Sequence, residues 1–387
     1  MTAAKYSPRQ MIEHLVAIPT VSADSNLALI DFVKDYLAEH GIDSRLTFDE
    51  TKRKANLFAS IGPEVPGGVV LSGHTDVVPV ADQQWDSDPF TATLRDGRLY
   101  GRGTADMKSF IAIALALVPE FQAADLRVPI HLALSYDEEL GCLGVPGLLA
   151  DIAEAVPRPA AAIIGEPTSM RLANSHKGTF GFRTTFIGKD GHSSDSIHTL
   201  NAITCAAEFI GFLADMAAEL RDSGPFDERF EPPHTTCNVG MIDGGTAFNI
   251  VARQCRVTWE FRPIPGVDAA AVQAHVESFL TEDLLPCMRK RFSGSAIETE
   301  RFCAVPPLVS DADSPAEALV RMLTGSNSTT TAAFGTEGGL FQQAGIPAVV
   351  CGPGDIAQAH QPNEYIPLDQ VEVCAAFLRA LMTWASS

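Results

Sequence analysis

Short, almost uninterrupted apolar runs recur along this chain and constrain its fold more than any other feature. The four clearest are VVLSG (69–73), HLALSY (131–136), AAAIIG (160–165) and AVVCGPG (348–354). Strands that are apolar at consecutive positions are typical of a sheet covered on both faces, which is usually a parallel sheet. Helical patterns lie between the runs, notably at 107–122 and 144–154. This alternation predicts an α/β domain with a mostly parallel sheet.

The middle of the chain has a different pattern. Across VARQCRVTWEFRPIP (251–265), apolar and polar residues alternate. Such alternation is typical of an antiparallel strand with one face in water. Companion strands are predicted at 181–188 and 235–242, and helical patterns at 199–221 and 267–284 would cover the dry face.

We therefore expect two domains. Residues 1–175 and 306–387 form the α/β domain, which begins with a helix capped by Ser7 and started by Pro8. Residues 176–305 form an inserted α+β domain, with an antiparallel sheet plus two helices.

The charge balance narrows the range of partners. The chain has 28 basic and 48 acidic residues, a net charge of −20, and no basic cluster, so a nucleic-acid partner is not expected. The longest apolar run, 110–118, is too short to span a bilayer, and the N-terminal stretch has no signal-type apolar segment. Eight cysteines without a CxxC pair are typical of buried thiols in a reducing compartment. We expect a cytoplasmic protein without a membrane partner.

Acidic residues and histidines follow the predicted strands. They are His74 and Asp76 after the first run, Asp106 just before a helix, Glu138 and Glu139 after the second run, Glu166 after the third and His360 after the last. Ligands of open α/β sheets bind outside the carboxyl ends of the strands. We therefore expect these side chains to gather at one edge of the sheet.

This set includes two imidazoles and at least three carboxylates. Burying several carboxylates together without a cation is strongly unfavourable. One divalent ion would use three or four of these ligands, and two ions that share a bridging carboxylate would use five. Mixed imidazole and carboxylate ligands favour zinc, with cobalt or manganese as alternatives. The competing interpretation is that His74 is only a hydrogen-bonded histidine at a strand end.

Two pairs of residues that are close in the sequence, His74 with Asp76 and Glu138 with Glu139, indicate different roles for their members. If the strand continues through His74 and Asp76, the two side chains share a face, and a carboxylate on one ring nitrogen leaves the other nitrogen for a metal. Neighbouring strand residues point to opposite faces, so one of Glu138 and Glu139 would bind metal. The other would accept a proton from water as a general base.

Five sequence blocks, taken together and in order, resemble one known family. They are GHTDVVP (73–79), GRGTADMKSF (101–110), DEELGCLG (137–144), IGEPT (164–168) and GPGDIAQAHQPNEY (352–365). The family is the dizinc metallopeptidase-like family of acetylornithine deacetylase, succinyl-diaminopimelate desuccinylase and carboxypeptidase G. The similarity extends from about residue 10 to residue 380, and the last block is most similar to the acetylornithine deacetylase branch.

The resemblance implies a role for each site residue. By it, two divalent metal ions are bound by His74, Asp106, Glu139, Glu166 and His360, with Asp106 as the bridging ligand. The same resemblance implies that Asp76 orients His74, that Glu138 is the general base and that the peptide bond after Asp106 is cis.

The resemblance also implies an activity, the metal-dependent hydrolysis of the amide bond of an N-acyl amino acid. N-acetylornithine, which would give ornithine and acetate and place the enzyme in arginine biosynthesis, is the first candidate. Succinyl-diaminopimelate, another N-acyl amino acid or a dipeptide are alternatives within the family. A metal-stabilised binding protein without turnover is the remote alternative.

The inserted domain resembles the lid or dimerisation domain of the family, which implies a homodimer. Within it, DGHSS (190–194) matches a histidine that reaches the active site of a neighbouring subunit, so His192 would stabilise an oxyanion there. Arg262 matches an arginine that binds the substrate carboxylate, and Asn249 is a further substrate-binding candidate. The competing interpretations are a loop histidine for His192 and a solvated strand arginine for Arg262.

Overall fold

The computed structural model describes residues 6–387, and the chain divides into two compact units. The first unit takes in the chain as far as His176, then Leu308–Thr331 and Thr336–Ser387. The second unit consists of Lys177–Pro307 and Ala332–Gly335. Within residues 6–387, no helix has both the length and the apolar character that a bilayer crossing requires.

Helices occur in both units. They are α1 (Pro8–Val16), α2 (Leu27–Glu39), α3 (Lys108–Ala116), α4 (Val118–Ala123), α5 (Val145–Ala155), α6 (Ala202–Ser223), α7 (Ala269–Ser278), α8 (Leu285–Arg291), α9 (Pro315–Thr324), α10 (Gly338–Gln343) and α11 (Leu368–Ala385). A π-helical segment, Phe279–Leu284, joins α7 to α8. The predicted opening helix is confirmed, because α1 begins at Pro8 and the Ser7 hydroxyl accepts a hydrogen bond from the Gln10 N–H.

Strands also occur in both units. They are β1 (Ser44–Phe48), β2 (Ala55–Ile61), β3 (Val69–His74), β4 (Thr93–Arg95), β5 (Arg98–Tyr100), β6 (Ile130–Ser135), β7 (Ala161–Pro167), β8 (Ala173–His176), β9 (Thr179–Ile187), β10 (Gly191–His192), β11 (Thr236–Gly244), β12 (Ile250–Val251), β13 (Gln254–Arg262), β14 (Ala296–Val305), β15 (Thr330–Ala332), β16 (Ala348–Gly352) and β17 (Tyr365–Pro367).

The large sheet has the strand order β1-β2-β6-β3-β7-β16-β8-β15. Its four central strands, β6, β3, β7 and β16, pair in parallel and are the four predicted apolar runs. Every residue of these four strands is buried, which confirms the predicted sheet covered on both faces. The flanking pairs β1–β2, β2–β6 and β16–β8 are antiparallel. Because the central strands are parallel, their carboxyl ends lie at one edge of the sheet.

The second unit contains an antiparallel sheet with the order β11-β13-β9-β14. The predicted alternation in β13 is confirmed, since Cys255, Val257, Trp259 and Phe261 are buried and their neighbours along the strand are not. Helix α6 covers the dry face, where the Phe209 ring lies 5.8 Å from that of Trp259. The fold class expected from the sequence, an α/β domain with a mostly parallel sheet and an α+β insert, is therefore confirmed.

The first unit holds both ends of the insertion side by side. The N–H of His176 donates a hydrogen bond to the Leu308 carbonyl oxygen at 3.2 Å, and the two residues form an isolated antiparallel bridge. The longer of the two segments of the second unit, Lys177–Pro307, thus begins and ends beside neighbouring backbone positions of the first unit.

Candidate metal centre

His74 is the last residue of β3 and is fully buried. Its Nδ1 lies 2.9 Å from the backbone oxygen of Asp76, while the nearest Asp76 carboxylate oxygen is 3.6 Å away. Nε2 lies 3.0 Å from Oδ1 of Asp106 and 3.7 Å from Oε1 of Glu166. The strand ends at His74 and does not continue through Asp76, so a carbonyl group rather than the expected carboxylate receives the hydrogen bond from the ring. Nε2 is left facing the acidic groups.

Asp106 lies between the two histidines of the site. Its Oδ1 faces His74, and its Oδ2 lies 3.4 Å from Nε2 of His360. The same His360 nitrogen lies 3.1 Å from a carboxylate oxygen of Glu139. The peptide bond between Asp106 and Met107 is cis, as the resemblance implies. A carboxylate with one oxygen toward each histidine has the arrangement of a bridging ligand.

Glu138 and Glu139 lie in a turn, because β6 ends at Ser135. Donor atoms of Glu138, His74 and Glu166 all lie within 4.8 Å of one another, and so do donor atoms of Glu139, His74 and Asp106. Both glutamates therefore reach the cluster. Regular strand geometry would have allowed only one of them to face it, and the turn allows both. The assignment of one glutamate as ligand and the other as base stays a prediction.

The carboxylate of Asp76 has a task that the sequence did not indicate. It accepts hydrogen bonds from the Ser22 hydroxyl at 2.7 Å and from the backbone N–H groups of Glu138 and Glu139 at 3.1 and 3.3 Å. Asp76 thereby fixes the turn that carries both glutamates.

The pKa values of the cluster residues are shifted because several carboxylates are buried close together. Burial raises the pKa of Glu166 well above its usual range, and the nearby Asp106 carboxylate raises it further. Burial and the neighbouring carboxylates also raise the pKa values of Glu138 and Glu139. For Asp106, hydrogen bonds with His360 and His74 outweigh the effect of burial, so its pKa is lowered. Hydrogen bonds with Asp106 and Glu139 raise the pKa of His360 to about 10.

The donor set fits divalent metal ions. Buried Oε1 of Glu166 has no hydrogen-bond partner among the residues that the structure describes, although it faces Nε2 of His74. Imidazole nitrogens and carboxylate oxygens at these separations are the ligands that zinc and similar ions take. A cation among these groups would satisfy the unpartnered oxygen and offset the repulsion between the carboxylates.

The structure places the other predicted residues in the second unit. His192 belongs to β10, which pairs with β12, and the adjacent Ser193 N–H donates to the Asn249 carbonyl at 3.1 Å. His192 and Asn249 are therefore close in the fold, and both are exposed. The Arg262 guanidinium forms a two-pronged ion pair with Glu260, with N–O distances of 3.0 and 3.2 Å. The predicted roles of these three residues stay predictions.

Two buried glutamates near the predicted residues were not assigned a role from the sequence. Glu364 lies in the HQPNEY block and pairs with Arg102 at 2.7 Å, with both side chains at most 1% exposed. Glu337 accepts hydrogen bonds from the hydroxyls of Ser72 and Ser135, on β3 and β6. The block that contains Glu364 was a signal, but nothing in the local sequence indicated its partner.

Comparisons with known proteins identify the family of this chain. The model of the peptidase family M20/M25/M40 matches residues 70–384. The acetylornithine deacetylase of Photorhabdus laumondii is 34% identical over 366 residues, which cover 93% of this chain and 92% of that protein. The acetylornithine deacetylase of Yersinia pseudotuberculosis is also 34% identical, with 94% of this chain and 93% of that protein covered.

Solved structures share the fold at lower sequence identity. An M20 family metallo-carboxypeptidase from Sulfolobus solfataricus has a TM-score of 0.77 and 18% identity, with 98% of this chain and 99% of that chain covered. A dinuclear metal-binding peptidase of the M20 family from Bacillus subtilis has a TM-score of 0.64 and 15% identity, with 97% of each chain covered. From the family match and the long similarity to these relatives, the chain belongs to the peptidase family M20/M25/M40 and is a hydrolase.

Proposed function

We propose that this protein is a dimetal amidohydrolase that removes the acyl group from an N-acyl amino acid, with Nα-acetylornithine as the preferred substrate. The observation that carries the proposal is the 34% identity, over nearly the full length of both chains, to proteins named acetylornithine deacetylase. The cluster around His74 supports it with a ligand set suited to hydrolytic metals. The products would be ornithine and acetate, in the cytoplasm and as a step of arginine biosynthesis.

Five residues would hold two metal ions. His74 and Glu166 would bind one, Glu139 and His360 the other, and Asp106 would be shared, in keeping with its two oxygens facing different histidines. Bound there, divalent ions would polarise the amide carbonyl and lower the pKa of a water molecule. Zinc is the first candidate, with cobalt or manganese as alternatives.

Glu138 would act as the general base. Its carboxylate lies beside His74 and Glu166, the two residues that would hold one of the ions. Glu138 would accept a proton from that water and pass it to the departing amine nitrogen. Asp76, which binds the Glu138 N–H at 3.1 Å, would keep this carboxylate in place.

The second unit would contribute to substrate binding. His192 would stabilise the developing oxyanion from a partner subunit, because it is exposed and its backbone adjoins the Asn249 segment. Arg262 would exchange its ion pair with Glu260 for one with the substrate carboxylate, a task suited to a guanidinium.

A homodimer would form through the second unit. Support comes from β11, an edge strand whose Met241 and Ile242 are 68% and 53% exposed. Exposed apolar side chains on an unpaired strand edge favour pairing with a second chain.

A substrate panel tests the proposed function. The zinc-loaded protein is assayed for kcat/KM on N-acetylornithine, N-succinyl-diaminopimelate, other N-acetyl amino acids and dipeptides, with a chelator-treated sample as the control. We expect N-acetylornithine to give the highest value and chelation to abolish turnover until zinc is restored. A higher value on another substrate would reassign the specificity, and a metal-loaded protein inert on the whole panel would contradict the proposal.

A further inference from the structure

We propose that Glu364 is a positioning residue that holds Asp106 in its bridging orientation and ties the segment of His360 to it. The inference rests on the proposed function, because it assigns Glu364 to the same metal centre. The Glu364 carboxylate binds Asp106 at its backbone N–H, so its effect on the cluster would pass through the backbone of the loop before α3.

The Glu364 carboxylate is saturated by hydrogen bonds. Oε2 accepts from Nη1 of Arg102 at 2.7 Å and from the Gly103 N–H at 3.1 Å. Oε1 accepts from the N–H groups of Ala105 and Asp106 at 2.8 and 3.0 Å. Burial raises the pKa of Glu364, and Arg102 and these N–H groups offset part of that rise. One carboxylate thus receives four donors, all from residues 102–106.

These donors bear directly on the orientation of Asp106. The segment from Gly101 to Met107 is neither helix nor strand, so regular backbone pairing does not fix its shape. Glu364 binds the N–H of Asp106 itself and that of the residue before it. An apolar side chain in place of Glu364 would leave these buried N–H groups without acceptors, which is unfavourable. With two acceptor oxygens, Glu364 binds the Ala105 and Asp106 N–H groups through Oε1 and the Arg102 and Gly103 donors through Oε2 at the same time.

The same ion pair reaches the backbone of His360. Arg102 donates from Nη2 to the side-chain oxygen of Gln83 at 2.6 Å, and Gln83 donates in turn to the His360 carbonyl at 3.0 Å. The Arg102 guanidinium also lies over the Trp85 ring, 5.1 Å from its centroid. Glu364 is itself four residues beyond His360. The network therefore sets the position of one ligand relative to another.

Measuring metal affinity in a charge-removing variant tests the proposal. In Glu364→Gln, the amide group would present N–H donors where Arg102 and Gly103 need an acceptor. Partners behind metal ligands typically contribute 10- to 100-fold to metal affinity, so we expect zinc binding to weaken by about that factor. Affinity is measured by competition with a chromophoric chelator on protein whose folding is verified by circular dichroism. Glu364→Asp, which keeps the charge, should recover part of the loss.

The matched control is Glu317→Gln. Glu317 is also a poorly exposed glutamate, paired with Arg321 at 2.8 Å and bound by the Asn174 amide, and these partners lie on α9 and β8 rather than in the loops of the metal centre. Its substitution should leave zinc affinity unchanged, even if it lowers thermal stability. A purely structural role for Glu364 would give the same result as this control.

The outcomes separate the two proposals. If Glu364→Gln folds and binds zinc like the wild type, while the wild type binds two ions and hydrolyses an N-acyl amino acid, only the positioning role is overturned. If Glu364→Gln does not fold, zinc affinity is measured in Glu364→Asp and Gln83→Leu instead. Wild-type zinc affinity in both of these variants would overturn the positioning role of Glu364. A wild-type protein that binds no zinc and hydrolyses no N-acyl substrate overturns the proposed function and the positioning role with it.

Discussion

Asp76 and Glu166 are both buried carboxylates of the first unit, yet their surroundings are opposite. The Asp76 carboxylate accepts three hydrogen bonds, from the Ser22 hydroxyl and from the N–H groups of Glu138 and Glu139. Burial raises its pKa, but the nearby His74 ring and the hydrogen bonds from Ser22 and Glu138 outweigh that effect, so the pKa is lowered. Glu166 keeps an oxygen with no hydrogen-bond partner in the described part of the chain, and its pKa is raised well above the usual range. A carboxylate that fixes a loop, such as Asp76, thus has its oxygens hydrogen-bonded by protein donors. A carboxylate of the cluster, such as Glu166, keeps an oxygen that a cation could bind.

The largest effect is expected from the cluster residue that we assign to chemistry. Glu138→Gln removes the proton acceptor but keeps the size of the side chain, so kcat should fall by about 10²- to 10⁴-fold. Zinc content, measured by elemental analysis, should stay at the wild-type level. Near-normal kcat with retained zinc would reject the base role, and loss of zinc would assign Glu138 to the ligands instead.

Metal removal tests whether the cluster needs a cation. A ligand that binds only the folded state stabilises it by about 4 kcal/mol per site when its free concentration is about a thousand times Kd. Thermal unfolding of the zinc-loaded protein should therefore occur at a clearly higher temperature than that of the chelated protein. Glu166→Gln should show a smaller difference, and equal unfolding temperatures with and without zinc in the wild type would contradict the comparison.

His131 extends the comparison to a buried group with neither a cation nor a full set of partners. Its Nδ1 lies 2.7 Å from the Ser60 hydroxyl, Nε2 is unpartnered within the described residues, and burial lowers its pKa to about 4. In the unfolded chain His131 has a pKa near 6.5, so between pH 6.5 and 4 it is protonated in the unfolded chain but not in the folded one. The free energy of unfolding should therefore fall by about 3 kcal/mol across this window.

Denaturant unfolding at several pH values measures this effect. His131→Asn keeps an acceptor toward Ser60 but does not titrate, so its stability should depend less on pH by the same amount. An identical pH dependence in both proteins would contradict the lowered pKa, because it would mean that His131 takes up its proton at the same pH in the folded and the unfolded chain.

The smallest effect is expected from Asp76, the carboxylate whose oxygens are hydrogen-bonded by protein donors. Asp76→Asn replaces one of the two acceptor oxygens by an amide NH2 group. In one orientation this donor would face the Ser22 hydroxyl and the Glu139 N–H, and in the other it would face the Glu138 N–H. Either orientation loses hydrogen bonds that hold the turn of Glu138 and Glu139. We expect zinc affinity to fall by about 10- to 100-fold, equivalent to about 1.4 to 2.7 kcal/mol. Chelator competition measures it, and a loss as complete as that of a ligand variant such as His74→Ala would mean that the distinction between the two kinds of carboxylate is wrong.

The sequence predicted the central sheet and the gathering of the site because both depend on local patterns. Each apolar run predicted a strand, and residues such as His74 and Glu166 lie at its carboxyl end. The points where strands stop were not predictable, so the hydrogen bonding of Asp76 and the side of the chain on which Glu138 lies relative to Glu139 differed from the strand geometry that we expected. The antiparallel direction of β2 is set by pairing with β6 and not by its own residues.

Hydrogen-bond partners far apart in the chain were also beyond local patterns. Arg102 and Glu364 are 262 residues apart, and each, read alone, is an ordinary charged residue in a loop. The pairing becomes visible only when the two loops are placed side by side by the sheet between them.

The bridge between His176 and Leu308 bears on how well the chain would tolerate changes in the length of the segment between them. The entropic cost of closing a loop grows only slowly with the number of residues in it, and the bridge holds the two ends of this segment as neighbours. Both bridge residues belong to the first unit. Insertions between residues 177 and 307 would therefore add little closure entropy while the two ends keep their place.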